Sequence, residues 1–355
     1  MGTSPARLAS VDALRGITVA AMLLVNNPGD WSHVFPPLLH ADWHGCTPTD
    51  LVFPFFLFIV GVSVALGIVP RAEAGAARAP LAKAVLLRAA RIVALGLALN
   101  LLAWWLLDRP YFRPWGVLQR IGVCFAVAGV LAIHTRPRTQ WLLAGGLLLG
   151  YWALLAPGGY EPFTNLANRI DTWLAGRHQY RWNEALGLGH DPEGLVSTLP
   201  AVATTLLGVR AGAWLRAGRS GRLVAAGVAG VLLGWAWGQV FPLNKPLWTS
   251  SYALFTAGWA ALAVALCHVL VDHRGWPALG RRFGVNAIAA YAGSAAMVYL
   301  LLGLGWLQPI YRHGFGWIAP LAGPRAASLA YAVAVVLLWW AIVAWMDRRG
   351  WYAKV

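Results

Sequence analysis

Residues 51–69, LVFPFFLFIVGVSVALGIV, run without a charged side chain until Pro70 and Arg71 end them. Crossing about 30 Å of hydrocarbon takes roughly 20 apolar residues at 1.5 Å each, so this stretch reads as a membrane-spanning helix. Directly before it stand residues 36–50, PPLLHADWHGCTPTD, with two histidines, two aspartates, a thiol and two threonines. Ionisable groups set where lipid meets water are costly to keep, so this is the first place to look for chemistry.

Outward from that stretch the whole chain follows suit. Hydrophobic residues make up 59% and charged residues 12%, and tryptophan occurs 21 times; the mean hydropathy is +0.59. An ordinary soluble domain is excluded, and the fold class is an all-α, polytopic helical bundle. Ten candidate spans are expected: 11–27, 51–69, 84–107, 115–133, 140–156, 197–215, 223–241, 250–271, 284–303 and 326–346.

The formal charge of +15 does not point to nucleic acid, because the Lys and Arg residues sit in short clusters between spans. With both termini placed in the cytoplasm, Arg7, Arg15, the five from Arg71 to Arg91, Arg136, Arg138, the four from Arg210 to Arg222, Arg274, Arg281, Arg282, Arg348, Arg349 and Lys354 fall inside. These are 19 of the 28 basic residues, and such a bias orients the bundle. Residues 36–50 then lie outside, with a polar segment, 157–196, that reads as an external cap on one transmembrane domain of residues 1–355. Trp173, His178, Tyr180, Arg181, Trp182, Asn183 and Glu184 give that cap something to bury. No cleavable signal peptide and no internal repeat are evident. Cys46, Cys124 and Cys267 are far apart, so neither a disulfide framework nor a thiolate metal site follows.

His40 and His44 are four residues apart, with Asp42 between them and His33 seven residues before His40. Zinc would need three or four ligands and a second shell, and no metal is expected. The alternatives are a loop that merely solvates these groups, or acid–base or nucleophilic catalysis by a histidine whose tautomer a neighbour sets. Asp42, Asp50, Asn26 and Asn27 are the candidate neighbours. Gln119 and Arg120 interrupt the span 115–133 and must face protein or water. Arg120 is read either as an anion anchor or as half of a buried pair with a carboxylate. Asp12 and Arg15 are spaced to pair with each other. Asn244 and Lys245 lie between two prolines, placed to bond a sugar or phosphate or to end a helix. Asn286 needs a partner inside its span.

Five stretches together carry a resemblance: SVDALRGITVAAMLLVN, HADWHGCTPTDLVFPFFLFIVG, GVLQRIGV, DPEGLVSTLPAVATTLLGVRAG and PLNKPLWTSSY. The chain resembles the transmembrane acetyltransferases related to heparan-alpha-glucosaminide N-acetyltransferase, in the bacterial branch without the extra lumenal domain. The resemblance implies a bundle that takes acetyl from cytosolic acetyl-CoA and delivers it to the amine of a glucosamine-type sugar at the far face. It places the catalytic histidine on His40 and its partner asparagine on Asn26. Asp42 and His44 stand where the human-type pattern has serine and asparagine, and extra residues separate Asn26 from His40.

On that implication His40 acts as general base, or carries acetyl briefly as an acyl-imidazole, and Asn26 donates to the oxyanion. Asp50 supports the imidazole from beside it. Gln119, Arg120 and Asn286 are the candidate cofactor-binding residues, Arg120 together with the inner basic loops holding the phosphates. Asp42, His44, Asn244 and Lys245 are the candidate acceptor-binding residues. His40 is expected to be buried at the exit of a passage through the bundle. The expected location is a bacterial inner membrane with His40 toward the periplasm. The expected partners are lipid, the amino sugar and, by resemblance, a second copy of the chain. Two other functions fit the sequence: a proton-coupled transporter of sugar or cell-wall fragments, and an O-acyltransferase of a surface glycan.

Overall fold

The structure, a computed structural model, describes residues 8–353; Arg7 and Lys354, counted above among the inner basic residues, lie outside the described residues. The helices are α1 Ala9–Asn26, α2 Val52–Gly67, α3 Val69–Glu73, α4 Arg78–Leu106, α5 Val117–His134, α6 Pro137–Leu155, α7 Leu166–Ala175, α8 Thr198–Arg216, α9 Ser220–Trp237, α10 Ser250–Cys267, α11 Arg281–Val285, α12 Ala287–Gly303, α13 Leu307–Phe315, α14 Ala319–Ala322 and α15 Pro324–Arg348. Among the described residues the only strands are β1 Arg181–Asn183 and β2 Leu188–His190, antiparallel with Arg181 opposite His190. The all-α class holds.

Each of the ten expected spans is helical, but not all qualify as spans on their own. Among the described residues, eight helical segments are long and apolar enough to cross a membrane, and a ninth results if α12 and residues 307–322, bent by 97°, count as one. The remaining expected span is α8, TLPAVATTLLGVRAGAWLR. It packs against α2, α5, α6, α9 and α10, and Ala201, Ala203, Thr204, Thr205 and Leu206 are fully buried. A helix enclosed by other helices meets little lipid, so it tolerates hydroxyls. Thr204 and Thr205 return their hydroxyls to the carbonyls of Pro200 and Ala201.

Small residues let the central pair approach closely. A Cβ on Gly61 of α2 would lie 2.0 Å from the Thr205 carbonyl oxygen, and one on Gly208 of α8 would lie 2.1 Å from that of Phe58. Around this centre, α4, α6, α9 and α15 turn Trp105, Leu142, Leu232 and Leu337 outward, as helices bathed in hydrocarbon do.

Alternating traversal gathers the connections at two ends. Residues 27–51, 107–116, 156–197 and 238–249 meet at the end that carries His40, as the bonds Gly45 N–H to Leu243 O and Trp43 Nε1–H to Tyr160 O show. At the opposite end Arg216 reaches Glu73 and Ser10 reaches Asp272, and both described chain ends lie there.

Candidate active site

The site is built on the entry to α2. Residues Pro48–Leu51 form a 3-10 turn with Thr47 as its N-cap, and this turn presents Asp50 back toward the preceding loop. The carboxylate is 1% exposed, and its Oδ2 accepts the backbone N–H groups of Ala41 and Thr47, each at 3.0 Å. The Thr47 hydroxyl donates to Leu39 O at 2.7 Å, closing the loop on itself. Oδ1 lies 2.7 Å from Nδ1 of His40. A carboxylate only accepts, so Nδ1 carries a proton, and in the neutral ring the lone pair is on Nε2.

Lys245 completes the cluster from the 238–249 connection. Its Nζ stands 3.1 Å from Nδ1 and 3.0 Å from Nε2 of His40, and 3.9 Å from Asp50 Oδ1. A point in the ring plane equally close to both nitrogens would overlap Cε1, so the ammonium lies over the face of the imidazole. Burial pushes the Lys245 ammonium below its usual value, while Asp50 and Glu193 pull the other way.

Two connections and a helix wall this cluster. Asn244, with no exposed surface, donates to Trp43 O at 2.9 Å and accepts Leu247 N–H at 2.8 Å. The Trp43 ring meets His190 of β2 edge-on at 5.1 Å, which docks the 157–196 segment on the loop. Tyr252 of α10 donates to Asp50 O at 2.5 Å. Beside the histidine, burial and the charge of Asp50 push the Cys46 thiol up to about 12. It stays protonated, which removes Cys46 from the candidate nucleophiles of this loop.

The other predicted residues separate. His33 pairs with Asp30 at 2.8 Å and His44 lies 3.3 Å from Asn244 Nδ2, so the three histidines have different partners. Asp42 is exposed, and Asp50, not Asp42, orients the ring. Asn26 ends α1, exposed and without a side-chain hydrogen bond among the described residues. The adjacent Asn27 is buried and bonded to Leu23 O at 2.6 Å. Gln119 and Arg120 are buried. Arg120 donates to Gly194 O at 3.0 Å and to Ser197 Oγ, and stacks over Trp248 at 5.2 Å.

Two expectations are thereby corrected. Arg120 bonds a carbonyl and a hydroxyl rather than a carboxylate. It also sits at the His40 end, three residues into a helix that starts there, so the inner basic loops are far from it. Asn286 is satisfied by the chain's own tail: it donates to Trp351 O and accepts from Ala353 N–H, each at 3.1 Å. A network that sequence reasoning missed joins the 107–116 connection to the 157–196 segment. Arg113 donates to Asp191 at 2.7 and 2.5 Å and to Glu193 at 2.5 Å. The acidic pair in DPEGL was its only signal.

A cavity of about 880 Å³ opens at the opposite end. Its walls are apolar, including Phe56, Val60, Ile92 and Phe125, and its charged groups are Asp12, Arg15, Arg88 and Arg91. Arg15 and Asp12 pair at 2.9 Å, as their spacing predicts. The deepest α2 residue on the wall, Phe56, is six residues past Asp50, about 9 Å along a helix axis. His40 is not on the wall, and its side chain is 46% exposed. The expected burial of the imidazole at the exit of a passage is corrected to a half-open ring at the surface of the other end.

Residues 7–235 match the family described as heparan-alpha-glucosaminide N-acetyltransferase, catalytic. The chain belongs to that family. Among relatives, it is 30% identical to human heparan-alpha-glucosaminide N-acetyltransferase, over 81% of this chain and 53% of that protein. To the mouse protein of the same name it is 28% identical, over 82% and 54%. The chain thus spans about half the length of the curated relatives it matches. His40, Asp50 and most of the cavity wall lie within the matched residues; Lys245 lies beyond them.

Proposed function

We propose that this chain is an integral-membrane acetyltransferase that moves acetyl from acetyl-CoA to the amine of a glucosamine-type sugar. The observation that carries the reading is the His40–Asp50 pair, which in the neutral ring places the lone pair on Nε2, in a half-open ring inside the family's catalytic region. In this reading the cavity end faces the cytoplasm and the His40 end faces the exterior of a bacterial inner membrane.

The residues of the cavity fit acetyl-CoA. Arg15, Arg88 and Arg91 on its lining supply positive charge for phosphates, and the Phe56, Val60 and Phe125 wall suits an extended pantetheine arm. At the other end the acceptor arrives as a free amine, having shed its extra proton to solvent. Its nitrogen lone pair forms the C–N bond while the carbonyl π pair moves to oxygen and Nε2 of His40 takes the amine proton. The oxygen pair then returns, the C–S bond breaks, and the departing sulfur takes that proton from Nε2. Asp50 holds Nδ1–H throughout, so the ring can shuttle the proton without turning. Asn26, whose amide is unengaged, is the proposed neutral donor to the oxyanion.

The test is acetyl transfer by the purified protein from acetyl-CoA to glucosamine, with the product analysed by mass spectrometry. An N-acetyl amide supports the reading. An ester would move the acceptor to a hydroxyl, and substrate flux across proteoliposomes without thioester consumption would replace the transferase by a transporter.

A further inference from the structure

We propose that Lys245 is a catalytic residue of this reaction, its ammonium facing the carbonyl oxygen that becomes anionic as the amide bond forms. The inference rests on the acetyl-transfer reading. Among the described residues, Lys245 is the cation that contacts the His40 ring, 3.0 Å from the nitrogen that must reach the acceptor.

Position decides the role. The Nε2 lone pair points along the ring plane, while the ammonium lies over the ring face, so the base stays open to the acceptor amine with Lys245 beside it. An amine bonded to Nε2 puts the attacked carbon one bond further on. Rotation about that forming bond brings the oxygen of that carbon over the rim of the ring, toward the cation stacked there. Charge develops at that oxygen only as the C–N bond forms, so an ammonium aimed at it lowers the barrier rather than the ground state.

The lysine is also held as a placed group rather than a surface one. Its side chain is 18% exposed and faces the buried Asp50 carboxylate at 3.9 Å. The turn that carries it is locked by the buried Asn244, by Trp248 N–H to Lys245 O at 2.9 Å and by Gly45 N–H to Leu243 O at 2.7 Å. Burial works against the ammonium and the two carboxylates of Asp50 and Glu193 work for it. A desolvated cation in such a setting acts on a new negative charge more strongly than one in water. A neutral amide such as the one proposed at Asn26 carries no net charge, and the full charge falls to Lys245.

The experiment compares full-length wild type, Lys245→Met and Lys245→Arg in lipid nanodiscs. Two rates are read: acetyl transfer to glucosamine, and acetyl-CoA hydrolysis with no acceptor present. Lys245→Met should lower both by about 100-fold or more, with the KM for glucosamine within about threefold of wild type. Lys245→Arg, which keeps the charge, should recover to within about tenfold of wild type. Unchanged melting temperatures show that both variants fold. Loss of transfer with wild-type hydrolysis in Lys245→Met overturns the proposal and leaves Lys245 as an acceptor-binding residue. An arginine variant no better than the methionine one overturns it too. Wild type that consumes no thioester under either condition overturns the acetyl-transfer reading itself, and Lys245 with it; thioester consumption unaltered by Lys245→Met removes Lys245 alone.

Discussion

The two ends of the bundle handle polar groups in opposite ways. In the loop around His40 they bond one another: Asp50 alone takes up the imidazole and two backbone amides, and Asn244 ties the 238–249 connection to Trp43. At the other end a cavity of about 880 Å³ keeps apolar walls around Arg15, Arg88 and Arg91. Hydrogen bonds tolerate only a few tenths of an ångström, so they fix reacting atoms; volume and charge tolerate more, so they hold a long, flexible ligand. Substitutions at the first end should therefore change turnover, and those at the second should change saturation.

The largest effect tests the first half of that contrast. His40→Ala removes the proposed proton acceptor, and transfer to glucosamine should fall by about 10³-fold or more while acetyl-CoA still binds. Residual turnover within tenfold of wild type would take His40 out of the mechanism. Asp50→Asn comes next. Its amide can donate to Nδ1 and so draw the ring into the other tautomer, with the proton on Nε2 and no base toward the acceptor. A loss of about 10²- to 10⁴-fold in kcat is expected with little change in either KM. A pure KM effect would make Asp50 a scaffold for the acceptor instead.

The second half of the contrast is tested at the cavity. Arg88→Ala and Arg91→Ala should each raise the KM for acetyl-CoA by about tenfold and leave kcat within about twofold, since each removes one charged contact to phosphate. Equal losses in kcat would mean that the cavity takes part in the chemistry. Isothermal titration with CoA alone gives the same answer without turnover.

The sequence carries this division unevenly. Apolar runs mark the helices well, because lipid imposes their length and composition. The exception, α8, is instructive: TLPAVATTLLGVRAGAWLR looks like a weak span, and its threonines and glycines are in fact the mark of a helix enclosed by protein. The Asp50–His40 pair is half legible, since density of ionisable groups marks the loop, whereas the choice of Asp50 over Asp42 depends on the 3-10 turn that folds residue 50 back. Arg120 was misplaced for want of a simple step: a helix beginning at Val117 keeps its fourth residue within about 5 Å of that end. Asn286 could not be read at all, because its partners, Trp351 and Ala353, are 65 and 67 residues away.

The smallest effect concerns the segment 157–196 that docks on the His40 loop, and it tests whether this wall is as fixed as the cluster behind it. Burial pushes His190 down to about 4 and pushes Asp171 up to about 6. Between pH 6.5 and 4 the unfolded segment binds a proton on His190 that the folded one refuses, so folding loses stability as the pH falls. Between pH 6 and 3.8 the folded segment keeps a proton on Asp171 that the unfolded one releases, so folding gains stability as the pH falls. The two windows nearly coincide and oppose each other. Limited proteolysis of the wild-type segment should therefore change little between pH 6.5 and 4.5. Asp171→Asn should become more susceptible as the pH falls and His190→Gln less so. Parallel slopes in the two variants would mean that the wall loosens for another reason, and that the His40 end is less rigid than its hydrogen bonds imply.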